Sequence, residues 1–413
     1  MKTGFMTKIE VLDAVMGSGK TTGIIKWMTD NPQDKYLYVS PMLSEVEERI
    51  PSACESLEFT YPNTEEFHSK SAHLLELLKY GKNVSFTHAL FSDMTKEHLY
   101  WIKKHQYTLV VDEEIDFIES YKGVYGKDDI VSLEKSGHVL VDENNLGKVS
   151  WTWDNMEGDT VYSRLKRLCD LDMLYCAKRD REMMVIHLPL ELVSCSKRTV
   201  LLTYLFEGSL MECFMKMRGV EISRFTDLGE YSDSITRTKA RELIQFVDTK
   251  TTKSVKNLSM SYTWYSNSAR KEELEMISKA LFSMYRKSPK GEFLFTAPKE
   301  VSTRYDDKGK KRKRTILHRD VPDEHFLYSG AKATNIHAHK SMLVHAYNRF
   351  PNLVIKAYLQ DYGTPPDEDR FALSEMIQWI WRSRIRNDQP IMLCVLSKRM
   401  EKLLKDWLYQ EGI

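Results

Sequence analysis

The apolar run "IEVL" (Ile9–Leu12) passes directly into "DAVMGSGKTTG" (Asp13–Gly23), and no other stretch of the chain narrows the fold as much. An apolar strand-forming run, a glycine-rich turn and a helix-compatible segment beginning at Lys20 make a strand–loop–helix unit. Glycines at 17 and 19 let the backbone approach phosphate oxygens. The N–H groups of the turn can wrap an anion, and the helix that follows adds the positive end of its dipole. In that arrangement Lys20 reaches the β- and γ-phosphates and the Thr21 hydroxyl ligates Mg²⁺. Gly17, Ser18, Gly19, Lys20, Thr21 and Thr22 are thus the candidate binding residues for ATP with Mg²⁺. Ala14 stands where such loops usually carry their first glycine.

A partner for this loop comes from "YTLVVDEEIDF" (Tyr107–Phe117). An apolar strand ending in acids delivers carboxylates to the carboxyl edge of a sheet, where open α/β folds bind their ligands. Asp112 is expected to hold Mg²⁺ through water and Glu113 to orient or deprotonate an attacking water. Glu114 and Asp116 are expected in solvent or bracing a neighbouring loop.

The first 120 residues alternate short apolar runs with amphipathic stretches, the rhythm of an open parallel sheet covered by helices. From about Ser120 to Ser196 the text turns polar and Trp-containing, which reads as an insertion, and "RTVLLTYLFEGS" resumes a strand. A second alternating region begins between Asp227 and Leu258. Its expected elements are a helix bearing Leu274, Ile277, Leu281 and Met284 on one face, strands "EFLFTAP" and "HFLYSG", and a helix near Lys340–Arg349. The helix "FALSEMIQWIWRSRIR", the strand "PIMLCVL" and a last helix follow. The charge run Asp306–Arg314 reads as an exposed loop.

Sixty Lys and Arg against 59 Asp and Glu leave a net charge of +1, so any nucleic-acid surface has to be local. No apolar run is long enough for a bilayer span and the amino terminus lacks the apolar core of a signal peptide, so a cytoplasmic protein without membrane contact is expected. The six cysteines lack zinc spacing and read as reduced, mostly core thiols. His337, His339 and His345 lack Cys or carboxylate partners at ligand spacing, and Trp151 and Trp153 are expected to face one packed surface together.

Ala-x-x-Gly-x-Gly-Lys-Thr followed by Asp-Glu-x-x, here "AVMGSGKT" and "DEEI", resembles motifs I and II of superfamily 2 helicases and translocases. Further segments stand in the expected order: "SPMLSEVEER" resembles motif Ia, "FTHALF" a later DNA-contacting motif, "LTYLFEGS" motif III and "IQWIWRSRIR" motif VI. The text as a whole is similar to helicase-like proteins encoded by bacteriophages. The resemblance implies an α/β chain of two RecA-like P-loop NTPase domains, parallel sheets covered by helices, with an insertion in the first. Residues 1–230 would carry motifs I–III and residues 231–413 motifs IV–VI. ATP would sit between the domains, and hydrolysis would drive a helicase or translocase in phage replication or recombination, in the host cytoplasm and alongside replication proteins. A missing glutamine-plus-aromatic motif upstream of Ile9 favours DNA, single-stranded or forked, over RNA.

In the family, motif VI is Gln, then Arg four positions on, then Arg three beyond. Gln378 and Arg382 keep the first spacing, but Ile385 occupies the next position. On a continuous helix advancing about 100° per residue, Arg386 shares a side with Gln378 and Arg382 while Arg384 points away. Arg382 and Arg386 are therefore the candidates for stabilising charge on the transferring phosphoryl group. Ser40, Pro41, Thr87 and His88 match positions where the family contacts nucleic-acid phosphates. Thr296 stands in for motif IV, Thr334 and Asn335 for motif V, and Lys310, Lys311, Arg312, Lys313 and Arg314 form a candidate electrostatic clamp. Two other classes fit the loop: a P-loop motor or kinase of another kind, and a nucleic-acid-binding accessory protein that uses ATP as a switch.

Overall fold

The computed structural model describes residues 8–65, 67–123, 129–153, 160–229, 233–330 and 335–409; Thr334 lies outside them. The chain divides into two compact units. The first takes the amino-terminal residues to Asp13, Lys20–Glu230 and Pro351–Asp367; the second takes Ala14–Gly19, Tyr231–Phe350 and the chain from Glu368 on.

Six strands build the sheet of the first unit: β1 (Lys8–Asp13), β2 (Tyr36–Ser40), β3 (Val84–Thr87), β4 (Thr108–Asp112), and, far along the chain, Arg198–Thr203 and Glu221–Arg224. Five further strands lie between: β5 (Ile118–Ser120), β6 (Val139–Asp142), β7 (Lys148–Trp151), β8 (Leu174–Cys176) and β9 (Met184–His187), so the late pair are β10 and β11. The order across the large sheet is β11-β1-β10-β4-β2-β3, all parallel. Its strands read as near-continuous apolar runs because both faces are covered; every residue of Tyr36–Ser40 is buried. Register aligns Asp13 with Thr203, Leu202 with Asp112 and Ser40 with Thr87, which gathers the polar strand ends at one edge.

The chain leaves this sheet after β4 and returns at β10, and the intervening residues form a five-stranded antiparallel sheet, β5-β9-β8-β7-β6. This inserted sheet has a core of its own, including Ile130, Val139, Val149, Leu165 and Leu174. Trp151 and Trp153 stack with centroids 6.0 Å apart. The helix Leu353–Asp361, from late in the chain, completes the first unit: Ile355, Tyr358 and Leu359 join a core with Tyr175, Leu192 and Phe214. Tyr358 Oη donates to Leu146 O (2.8 Å), and Arg179 Nε donates to Asp361 (2.7 Å).

The second unit carries the parallel sheet β12-β15-β14-β13, made of β12 (Ile244–Phe246), β13 (Phe293–Thr296), β14 (Met342–His345) and β15 (Ile391–Val395). The expected helix near Lys340–Arg349 is instead β14: Met342–His345 is buried at every position and hydrogen-bonded between two strands, which overrides a short helical pattern. "HFLYSG" contributes one bridge, Phe326 to Phe295, and a single turn at Asp323–His325 rather than a strand. No helix of the described residues is long and apolar enough to cross a membrane.

Candidate functional site

The loop Ala14–Gly19 links β1 to the helix Lys20–Asp30. Gly17 and Gly19 have φ of +80° and +86°, a left-handed backbone that side chains disfavour, and a Cβ at Gly19 would meet nothing within 4 Å. The Ser18 Oγ makes no hydrogen bond among the described residues. A glycine-paced turn with a buried hydroxyl left unbonded among the described residues fits a phosphate chain. Trp381, of the same unit as this loop, places its Nε1 3.6 Å from where a Gly17 Cβ would stand.

At the carboxyl edge of the first sheet Asp112 is the centre of a network. Tyr38 Oη donates to its Oδ2 (2.7 Å), and Thr21 Oγ1 lies 3.4 Å from the same oxygen. Burial and the neighbouring Glu113 push the Asp112 carboxyl up to about 6, against the opposing effects of the Tyr38 hydrogen bond and the Lys20 charge. A carboxylate so disfavoured is one that gains from a nearby cation, which matches the donor set of an Mg²⁺ site: Thr21 hydroxyl and Asp112 carboxylate. Glu113 follows with φ +66°, a conformation rare outside glycine and Asn/Asp, held by its N–H to Leu202 O (2.9 Å). Thr22 Oγ1 accepts from Arg49, which also pairs with Glu45.

Two acids at this edge brace the end of β10 and the loop after it. Glu114 accepts from Thr203 Oγ1 (2.9 Å), joining the strand end of "DEEI" to "LTYLFEGS". Asp13 accepts from the N–H groups of Leu205 (2.8 Å) and Phe206 (3.0 Å), a role that sequence reasoning missed although an acid closing the strand before the loop was visible. Tyr38 was missed as well; it lies mid-strand in a fully buried run, where nothing in the local text marks a functional hydroxyl.

The nucleic-acid candidates of the first unit have local partners. Thr87 caps a short helix, accepting from Leu90 N–H (3.4 Å), and His88 Nε2 lies 2.8 Å from Asp112 O. Ser40 is buried, its Oγ accepting from Met42 N–H (3.3 Å), and Pro41 is half-buried beside it.

In the second unit the expected continuous arginine helix does not form. The helix Glu368–Ile380 ends before the arginines: Arg382 and Ser383 bond three residues back, to Trp379 O and Ile380 O, and Ser383 is extended. A separate 3₁₀ turn, Arg384–Asn387, follows. The rotation argument that paired Gln378, Arg382 and Arg386 therefore fails at Ser383. Gln378 Nε2 donates to Ser374 Oγ (3.2 Å), and Arg382 is buried. Arg384 is used structurally, donating to Pro390 O and Glu292. Arg386 is exposed and donates to Asn335 Oδ1, so a motif VI and a motif V candidate meet. Thr296 is fully buried, which puts its hydroxyl out of reach of a strand on the surface. Lys310, Lys311 and Lys313 are exposed, whereas Arg312 donates to Thr303 Oγ1 (3.0 Å) and Arg314 to Ser266 O (3.1 Å) and Ala269 O. No group of three or more His, Cys, Asp or Glu among the described residues could hold a metal ion; His345 is buried and all six cysteines are free thiols.

Residues 238–408 match the family described as the YonV C-terminal Rossmann-like domain. Over 98% of its length the chain is 30% identical to the SPbeta prophage-derived uncharacterized protein YonV of Bacillus subtilis strain 168, covering 99% of that protein. The chain belongs to the YonV family. Among solved structures this YonV-family chain is similar to an apo XPD, with a TM-score of 0.54 at 14% identity, over 98% of this chain and 95% of that one. It is also similar to S. tokodaii Xpd4, with a TM-score of 0.51 at 12% identity and the same coverage. The likeness is one of fold: the YonV-family chain is built from two RecA-like α/β domains, the first carrying an insertion.

Proposed function

We propose that this chain is an ATP hydrolase that moves along or separates nucleic acid, a superfamily 2 helicase or translocase acting on DNA in the phage life cycle. The observation that carries the reading is the grouping of Thr21, Lys20 and Asp112 at one sheet edge behind a loop whose two glycines hold phosphate-cradling geometry. Lys20 and the loop N–H groups hold the phosphates, and Thr21 and Asp112 hold Mg²⁺, which neutralises phosphate charge when bound. Glu113 takes the proton of the attacking water; its constrained backbone fixes where its carboxylate starts from. Asp13 holds the loop after β10 at this edge, and Glu114 holds the last residue of β10. The prophage origin of the YonV relative and the XPD-like fold both support the reading.

The test is ATP turnover with and without single-stranded DNA. Strong stimulation by the strand, lost in Lys20→Ala and Glu113→Gln, supports a motor; stimulation by a small acceptor, or by nothing, overturns it. Displacement of a strand from a forked duplex then separates a helicase from an ATP-driven switch.

A further inference from the structure

The charge run Asp306–Arg314 is a β-hairpin with two different faces. Ile316 N–H bonds Val301 O (2.9 Å), Arg312 N–H bonds Arg304 O (2.8 Å), Tyr305 bridges Lys311, and Asp306 N–H bonds Lys310 O (2.9 Å). Asp306 closes the tip: its Oδ1 accepts from Lys308 N–H (3.0 Å) and Lys310 N–H (2.8 Å), and its carbonyl accepts from Gly309, whose φ of +75° suits glycine. About the Tyr305–Lys311 bridge neighbouring side chains point to opposite faces, and exposure separates the rest. One face carries Arg304, Arg312 and Arg314, all half-buried and bonded into the unit; Arg304 alone reaches Asp323 and the carbonyls of His318, Arg319 and Val321. The opposite face carries Tyr305, Lys311 and Lys313, all exposed, with Lys308 and Lys310 at the tip; Tyr305 is 55% exposed. Asp307, the exposed acid there, is paired with Lys299 at 2.8 Å.

We infer that this outer face grips single-stranded nucleic acid, with Tyr305 stacking on a base and Lys308, Lys310, Lys311 and Lys313 holding the phosphates on either side. The arginines are spent on the scaffold, so the face lacks the planar forks that read base edges, and a stacked ring among lysines takes any sequence. A solvated loop would have no reason to turn every arginine inward, present every lysine outward and leave one large ring uncovered among them. The inference rests on the nucleic-acid reading proposed above and assigns to it a specific strand-holding element.

The experiment measures binding of labelled oligo-dT and oligo-rU to the full chain by fluorescence anisotropy over a salt series, beside strand-stimulated ATP turnover. Tyr305→Ala is expected to weaken binding roughly 5- to 150-fold, the span of one stacked base, while Tyr305→Phe binds as the parent does. Changing Lys308, Lys310, Lys311 and Lys313 together to Ala is expected to flatten the slope of log affinity against log salt by roughly 3. Changing the exposed Lys253, Lys271, Lys279 and Lys290 of the same unit to Ala serves as the control and should leave the slope unchanged. Equal losses on dT and rU fit a grip on the shared strand chemistry; loss on one alone fits a grip that reads the sugar. Parent-like binding by the Ala variants, with strand-stimulated turnover intact, overturns the grip and leaves the proposed function standing. If the parent chain binds neither oligonucleotide, the function itself fails, and binding of poly-glutamate instead would reassign the hairpin to an acidic protein partner. Unchanged thermal unfolding shows that the variants are folded.

Discussion

At the carboxyl edge of the first sheet, polar groups face one another and are bonded: Tyr38 and Thr21 to Asp112, Thr203 to Glu114, two loop N–H groups to Asp13. At the same edge of the second sheet Thr296 and His345 lie side by side in register, both fully buried, and their hydroxyl and ring nitrogens have no hydrogen-bond partner among the described residues. Trp379 packs edge-on against the His345 ring, with centroids 5.5 Å apart. The same strand ends thus serve two purposes. At one edge the carboxylates are bonded into a network, and at the other an aromatic side chain packs on a buried ring. A RecA-like sheet edge is thus finished here in two ways, by bonded acids and by apolar packing.

The largest effect that would break this contrast is on turnover. Lys20→Ala and Glu113→Gln should each lower steady-state ATP hydrolysis by at least about 100-fold, a loss expected when a charge-stabilising or proton-accepting group is removed. A retained rate would mean that the first edge is not the working one.

Stability should separate the edges next. Burial raises the Asp112 carboxyl from 3.8 to about 6, so with Mg²⁺ chelated its contribution to stability is complete below pH 3.8 and is lost as pH rises through about 6. Asp112→Asn should therefore abolish turnover and yet stabilise the metal-free protein at pH 7 by about 1–3 kcal/mol in denaturant unfolding.

His345 behaves in the opposite sense. Burial and the Arg349 charge hold its imidazole down at about 3, so it contributes stability above its unfolded value of 6.5, and that stability drains away as pH falls from there towards 3. Moving from pH 7 to pH 5 should cost the second unit about 2 kcal/mol through this group, and His345→Leu should remove that acid sensitivity. Hydrogen exchange in peptides from β14 would read it.

The smallest pair sharpens the comparison at single hydroxyls. Tyr38→Phe should destabilise by about 1–2 kcal/mol, because it strips a bond from a carboxylate, whereas Thr296→Val should be neutral or stabilising by up to about 1 kcal/mol. Equal costs in thermal melts would mean the two edges are alike.

Where sequence text encoded local geometry, it was legible. The glycines, Lys20 and Thr21 of the loop, the acid-terminated β4, the return of the chain at "RTVLLT" and the start of the insertion all follow from patterns within about ten residues. What failed was long-range. "SMLVHA" within Lys340–Arg349 became β14 because two neighbouring strands bury it, and the arginine segment broke at Ser383 because its backbone bonds elsewhere: Arg384 N–H reaches Lys340 O (3.2 Å). Asp13 and Tyr38 gain their roles only from partners that the folded sheet brings together. The inward arginines of the hairpin could not be told from its outward lysines until the strand pairing was known.

The helix Leu353–Asp361 has a consequence for how this protein is made. The first unit contains residues up to Glu230 and again Pro351–Asp367, so a ribosome that has finished Glu230 must add 137 residues, to Asp367, before the unit can close. At roughly 5–20 residues per second the wait is roughly 7–27 s. During it Tyr175, Phe214 and their neighbours lack the cover of Ile355, Tyr358 and Leu359. A nascent chain of this design exposes an apolar seam while its second half is being synthesised, so a fragment cut at residue 230 should aggregate, whereas one rejoined to residues 351–367 through a short linker should remain in solution.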